Sequence, residues 1–191
     1  MPVKKSKQVE ILQKDNPILR EISKPISLKE IDSKEIKGII SDLQKAIDSQ
    51  ADAVAISAIQ IGKTVRLFVI SKKIFSILEE LNGKKTDNKE KKDLVFINPK
   101  IKKLSKDKQL IEEGCLSVRY IYGKVSRSSK VTVEYLDENG KKNTRGFSSL
   151  FAQVVQHEND HLDGILFIDK AVDLQEVSKE DYERSLEELK D

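Results

Sequence analysis

Gln156-His157-Glu158-Asn159-Asp160-His161 is the stretch from which the rest of this chain is read. The segment from Ser149 to His161, closed by Gly164, has the make-up of a helix with a glycine stop. Residues four apart on a helix share a face, so His157 and His161 can point imidazole nitrogens at one metal ion. Glu158, one step round, then reaches a water bound to that ion. The chain has 191 residues and only two histidines, and their spacing around a glutamate is the HExxH arrangement of a metal site.

Two ligands leave a catalytic metal short of a third protein donor, with the fourth position kept for water. One large peptidase group with HExxH would place a histidine at position 167, where this chain has Phe167. Another group takes a glutamate farther along, which would make Glu180 or Glu183 the donor. The alternative is Cys115 in Glu112-Glu113-Gly114-Cys115-Leu116-Ser117, a thiolate that binds such metals strongly. A lone cysteine is ordinarily a small buried apolar residue. Its setting beside Gly114 in a loop-like segment favours the ligand reading here.

Composition bounds the remainder. Hydrophobic residues make up 38% and charged residues 35%, with apolar clusters recurring throughout, so the chain reads as one globular domain spanning 1–191. With 35 basic and 32 acidic residues the net charge is +3, which demands neither a specific nucleic acid nor a membrane partner. No stretch has the length and apolarity of a signal peptide or a bilayer span, and one cysteine cannot form an internal disulfide. A soluble, cytoplasmic protein is expected.

Along the chain, Ile36, Ile40, Leu43 and Ile47 recur at helical spacing between Ser33 and Gln50, with Ser33 as N-cap. Val65 to Ile70, Leu94 to Ile97 and Val131 to Leu136 read as strands, and Asn139-Gly140 as a hairpin turn. A last helix is expected from Ser178 to Lys190, opened by a Ser178/Asp181 capping box. Gly83 to Asp93 is a charged, solvated loop. The resulting order of helix, strands, helix, strand, helix argues for an α+β fold rather than alternating βαβ units.

Most of the chain resembles the peptide deformylases. The motifs that carry the resemblance are Glu113-Gly114-Cys115-Leu116-Ser117, Gln156 to Leu162, and the weaker Ala53-Val54-Ala55-Ile56-Ser57-Ala58-Ile59-Gln60-Ile61-Gly62. Ile11-Leu12-Gln13 with Pro17-Ile18-Leu19-Arg20 also looks like the family's opening strand and turn. The resemblance implies antiparallel sheets around a central HExxH-bearing helix, with N-terminal and C-terminal helices. It implies hydrolysis of the N-formyl group of formylmethionine on nascent proteins. It also implies one divalent metal held by Cys115, His157 and His161, expected to be Fe2+ in the cell, with Zn2+, Ni2+ or Co2+ possible after purification.

By the same resemblance Glu158 is the acid and base, while the Gln60 amide and the Leu116 backbone N–H stabilise the oxyanion. Val54, Ala55 and Gly114 accept the substrate backbone like an added strand, and Ile111, Leu150, Gln153 and Val154 border the methionine pocket. The chain departs from the family pattern at Ala53 and Ala55, where glycines are usual, at Ser57 in place of alanine, and at Arg119, Tyr122 and Gln153. Ser178 to Asp191 carries three basic and six acidic side chains, which does not support ribosome docking through that helix. Two rival readings are a degenerate relative that binds formylated peptides with altered or lost turnover, and a zinc peptidase using Glu180 or Glu183.

Overall fold

The computed structural model describes residues 9–83 and 92–188. Ser33 caps the first helix as its sequence suggests, its hydroxyl accepting from the N–H of Ile36 at 3.2 Å. Helix α1 (Lys34–Asp48) then buries Ile36, Ile39, Ile40, Leu43, Ala46 and Ile47 along one stripe.

That stripe packs on a five-stranded antiparallel sheet formed by β1 (Ala55–Ser57), β2 (Leu67–Ile70), β3 (Leu94–Leu104), β6 (Lys130–Leu136) and β7 (Lys142–Ser148), in the order β1-β2-β3-β6-β7. Leu67, Phe68, Val69 and Ile70 are all fully buried, because β2 lies between core clusters on both faces of its sheet. A second sheet, in the order β4-β5-β8, is made by β4 (Lys108–Cys115), β5 (Val118–Ser128) and β8 (Val172–Glu176).

Helix α3 (Ser149–Leu162) sits between the two sheets, touching β1, β2, β6 and β7 of the first and β5 of the second. Its buried residues Ala152, Val154, Val155 and Leu162 join Phe68, Phe96 and Val133 in one cluster. Cores of this kind supply most of the favourable free energy of folding, at roughly 25 cal/mol per Å² of apolar surface removed from water. The α+β arrangement around an HExxH helix is therefore the fold observed.

Several elements differ from the sequence reading. Strands β4 and β5 and helix α2 (Lys73–Asn82) are not among the expected elements, while β7 follows the expected hairpin turn and β8 is the strand expected between the last two helices, both without bounds in the sequence reading. β8 is exposed along its whole length and β4 along most of it, so neither shows clean alternation. Ile11 to Gln13 forms no strand; Leu12 instead donates its N–H to the Gln60 carbonyl at 2.8 Å, and Pro17–Arg20 is a single 3-10 turn. Asn139-Gly140 does join β6 to β7, with Asp137 Oδ1 accepting from the N–H groups of Asn139 and Lys141 at 3.0 Å each. Helix α4 (Lys179–Glu188) begins at the expected Ser178/Asp181 pair, the Ser178 hydroxyl accepting from Asp181 N–H at 3.0 Å. Of the charged stretch Gly83 to Asp93, residues 84–91 lie outside the described residues, as does the expected end of the last helix beyond 188.

Candidate metal centre

β1 and β4 are the edge strands of their sheets, and they face each other across a cleft whose floor is α3. The cleft encloses about 250 Å³. Every residue expected at the site lines it except His161, which lies fully buried behind it, and Ile111, which pairs with Val125 on β4 and stays outside the lining. The cleft also takes in Asp52, Ala53, Glu112, Glu113, Tyr182 and the five β5 residues from Val118 to Tyr122, which no sequence motif assigns to a site as a group.

Cys115 ends β4, at the two-residue turn Leu116-Ser117 into β5. This places its sulfur against one face of α3. One ligand atom from each of Cys115, His157 and His161 can be chosen so that all lie within 4.8 Å of one another, and Cys115 Sγ stands 3.2 Å from His161 Nε2. Donors bound at about 2.0–2.3 Å in a tetrahedron are separated by roughly 3.5 Å, so this set fits a metal of the zinc or iron type. Among the described residues His161 Nδ1 is buried with no hydrogen-bond partner, while its Nε2 faces Cys115 Sγ in the cluster. Glu180 and Glu183 are exposed on α4, where Glu183 pairs with Lys179 at 3.6 Å; neither joins a group of potential ligands among the described residues.

His157 is oriented from behind. Its Nδ1 lies 2.9 Å from Glu113 Oε2, and Glu113 in turn accepts two hydrogen bonds from Arg127, at 2.7 and 2.8 Å. Arg127 also reaches Asp160 at 2.6 Å, and Lys170 reaches the other oxygen of Asp160 at 2.7 Å. A histidine ligand held this way presents Nε2 to the metal in one tautomer. Burial would raise the Glu113 pKa, but the hydrogen bonds from Arg127 and His157 outweigh it and hold the carboxyl at about 2. No motif assigns a role to Arg127 or Asp160; their charge in segments that are otherwise largely out of solvent is the signal that marks them.

Glu158 is buried against Ser57, whose hydroxyl donates to its Oε2 at 2.5 Å. Burial raises the pKa of Glu158, and His157 and the Ser57 hydrogen bond oppose that only in part. Gln60 lies in the 3-10 turn Ala58–Ile61 that follows β1. Its Oε1 accepts from Ser57 N–H at 2.8 Å, which turns Nε2 toward Ser117 Oγ at 3.1 Å and Cys115 Sγ at 3.5 Å. Gln153, the unusual polar residue at the methionine end, donates to the Glu112 carbonyl at 2.9 Å and so ties α3 to β4.

A helix presenting two histidines and a glutamate to a sheet-edge cysteine defines a metal-dependent hydrolase. The polypeptide deformylase family matches residues 8–177. A peptide deformylase of Treponema pallidum is 38% identical over 154 residues, covering 81% of this chain and 82% of that protein. The Met-Ala-Ser-bound class I type b peptide deformylase of Acinetobacter baumannii superposes with a TM-score of 0.73 at 29% identity, over 86% of this chain and 99% of that one. The actinonin complex of the Synechococcus elongatus peptide deformylase gives 0.71 at 29% identity, over 98% and 90%. This chain belongs to the peptide deformylase family, a family of metal-dependent enzymes, and its reaction is deformylation of nascent peptides.

Proposed function

We propose that Cys115, His157 and His161 hold a single Fe2+ ion in the cell, and that Glu158, Gln60 and the Leu116 N–H carry out hydrolysis of the formyl group of N-terminal formylmethionine. The observation that supports this most directly is the mutual closeness of the three donors beside a buried glutamate. When bound, the ion supplies a water acidified toward a pKa of ~7 and a Lewis acid for the formyl oxygen.

The chain's own groups complete the reaction. Glu158 takes the proton from the attacking water and passes it to the departing amine, a cycle that suits a carboxyl whose pKa is raised by burial. One N–H of Gln60 is used by Ser117, and the other is directed to the Cys115 side, where negative charge develops on the formyl oxygen. Val54 and Ala55 on one edge and Gly114 on the other present peptide groups to an extended substrate, while Leu150, Gln153 and Val154 enclose its methionine side chain. The Acinetobacter relative, crystallised with Met-Ala-Ser, gives the same class of ligand for this cleft.

The proposed setting is the cytoplasm, where nascent chains appear and a thiolate ligand stays reduced; among the described residues no helix is long and apolar enough to cross a membrane. The test is formate release from formyl-Met-Ala-Ser by protein loaded with one equivalent of Fe2+, Ni2+, Co2+ or Zn2+. Stoichiometric binding with turnover is expected. Failure to bind one equivalent of any of these ions would sink the site assignment.

A further inference from the structure

The two oxyanion donors of the reading above, on which this inference rests, stand on different sheets. Gln60 lies in the turn that follows β1, and Leu116 in the turn that follows β4. β1 belongs to the five-stranded sheet and β4 to the three-stranded one, so strand pairing does not set the distance between the donors. A stabilised oxyanion needs both at hydrogen-bond distance from one point, and another element has to hold them there.

Residues 11–13 reach both. Leu12 donates its N–H to the Gln60 carbonyl at 2.8 Å. The next residue, Gln13, donates from Nε2 to the Leu116 carbonyl at 3.1 Å, across 103 positions of sequence. On the inner side Gln60 Nε2 donates to Ser117 Oγ at 3.1 Å, beside Leu116. Leu12, Gln60, Ser117, Leu116 and Gln13 thus form one closed ring of hydrogen bonds and covalent chain.

The segment that closes the ring is itself anchored. The Gln13 carbonyl accepts from Asn16 N–H at 2.8 Å, and the Gln13 amide makes a second bond to the Ile11 carbonyl at 3.2 Å. Ile11 packs against the core cluster that contains Ile56 and Leu116, while Leu12 packs against the one that contains Leu19, Val118 and Phe167. Adjacent side chains therefore enter different cores, and the segment cannot slide along either one. Gln13 does not line the cleft, so a change of its side chain touches neither the substrate nor the metal ligands directly.

We propose that Gln13 is a positioning residue for the reaction: its hydrogen bond to the Leu116 carbonyl, paired with that of Leu12 to Gln60, sets the spacing of the two oxyanion donors. Removing such a donor outright costs about 10²- to 10³-fold in kcat. Releasing the brace loosens a donor without deleting it, so a fraction of that loss follows.

Three substitutions separate the hydrogen bond from the space it fills. Gln13→Glu keeps the shape and cannot donate to a carbonyl when ionised, Gln13→Met keeps the length without charge, and Gln13→Lys restores an N–H donor. On the metal-loaded full chain with formyl-Met-Ala-Ser, the first two should lose about threefold to thirtyfold in kcat with KM within about twofold of the parent, and Gln13→Lys should recover most of the loss. A general loosening of the cleft would move KM as well, and a new donor would not repair it. Amide hydrogen exchange, followed by NMR on the full chain, should quicken by about fivefold or more at Leu116 and Ser117 in the first two variants and stay unchanged in α3.

Gln60→Ala, measured alongside, keeps the two claims apart. If it turns over as fast as the parent, the oxyanion assignment of the site reading fails, while exchange at Leu116 and Ser117 still decides whether Gln13 holds the turn. If Gln60→Ala is slow, unchanged kcat in both Gln13→Glu and Gln13→Met overturns the proposal. Unchanged exchange at Leu116 and Ser117 overturns it in either case.

Discussion

The Ser57 hydroxyl donates a 2.5 Å hydrogen bond to the Glu158 carboxylate, linking the strand that opens onto the substrate to the helix that carries the metal ligands. A hydrogen bond to a charged group contributes about 1.5–3 kcal/mol, and here it fixes where the carboxylate points. Ser57→Ala should lower kcat by about threefold to tenfold with KM little changed, because aim rather than substrate affinity is lost. Glu158→Gln removes the proton carrier itself. It should keep its metal and lose about 10²- to 10⁴-fold in formate release. Near-normal turnover by a metal-loaded Glu158→Gln protein would remove Glu158 from the acid–base role.

The buried pair of Glu113 and Arg127 makes a second prediction. Arg127→Met leaves two carboxylates, Glu113 and Asp160, without their main partner in a region where Glu113 is nearly inaccessible. Breaking a buried pair from one side costs about 3–5 kcal/mol, so thermal stability should fall sharply. Glu113→Gln is milder, since an amide still fits the space and can accept from Arg127. It should weaken metal binding about 10- to 100-fold through looser orientation of His157. Metal titration with a competing chelator measures this directly. Unchanged affinity would mean that His157 needs no help from Glu113.

Glu113 also sets a pH dependence with a definite sign. Its folded pKa of about 2 lies below the ordinary 4.5, so the folded state favours the charged carboxyl. The stability it contributes is complete above about pH 4.5 and disappears as pH falls through that value toward 2. Denaturant midpoints should therefore drop across this window in the parent protein and drop less in Glu113→Gln. Parallel curves for the two proteins would show that the carboxyl is not held down by its partners.

Helices α1, α3 and α4 were legible because each announces itself locally, by the Ser33 cap, the HExxH spacing and the Ser178/Asp181 pair. The strands between residues 108 and 128 were not. Lys108 to Cys115 is an edge strand with most side chains in water, so its apolar alternation is too weak to register. Helix α2 could have been found, since Ile74, Phe75 and Leu78 have helical spacing and pack into the core. At the site, residues joined by a short motif were readable, whereas Ser57, Arg127 and Asp160 act through contacts between distant elements. The separation of Ser57 from Glu158 is 101 positions, and no local pattern spans that.

The last prediction concerns the third ligand, on which the peptidase and deformylase chemistries part. Thiolates bind ions of this class far more tightly than hydroxyl groups do, because the soft sulfur donates charge that an alcohol cannot. If Cys115 is a ligand, Cys115→Ser should weaken metal binding by more than the 10- to 100-fold that losing an outer partner costs. In the cobalt-loaded protein it should also abolish the thiolate-to-metal charge-transfer absorption. Glu180→Ala and Glu183→Ala should leave both readouts unchanged, since those carboxylates stand on α4 in solvent, apart from the histidines. The absorption band separates ligation from indirect effects, because a cysteine that merely packs beside the metal contributes no such transition. A Cys115→Ser protein that retains one tightly bound ion, with affinity lost instead on changing Glu180 or Glu183, would overturn the Cys-His-His centre and restore the peptidase arrangement.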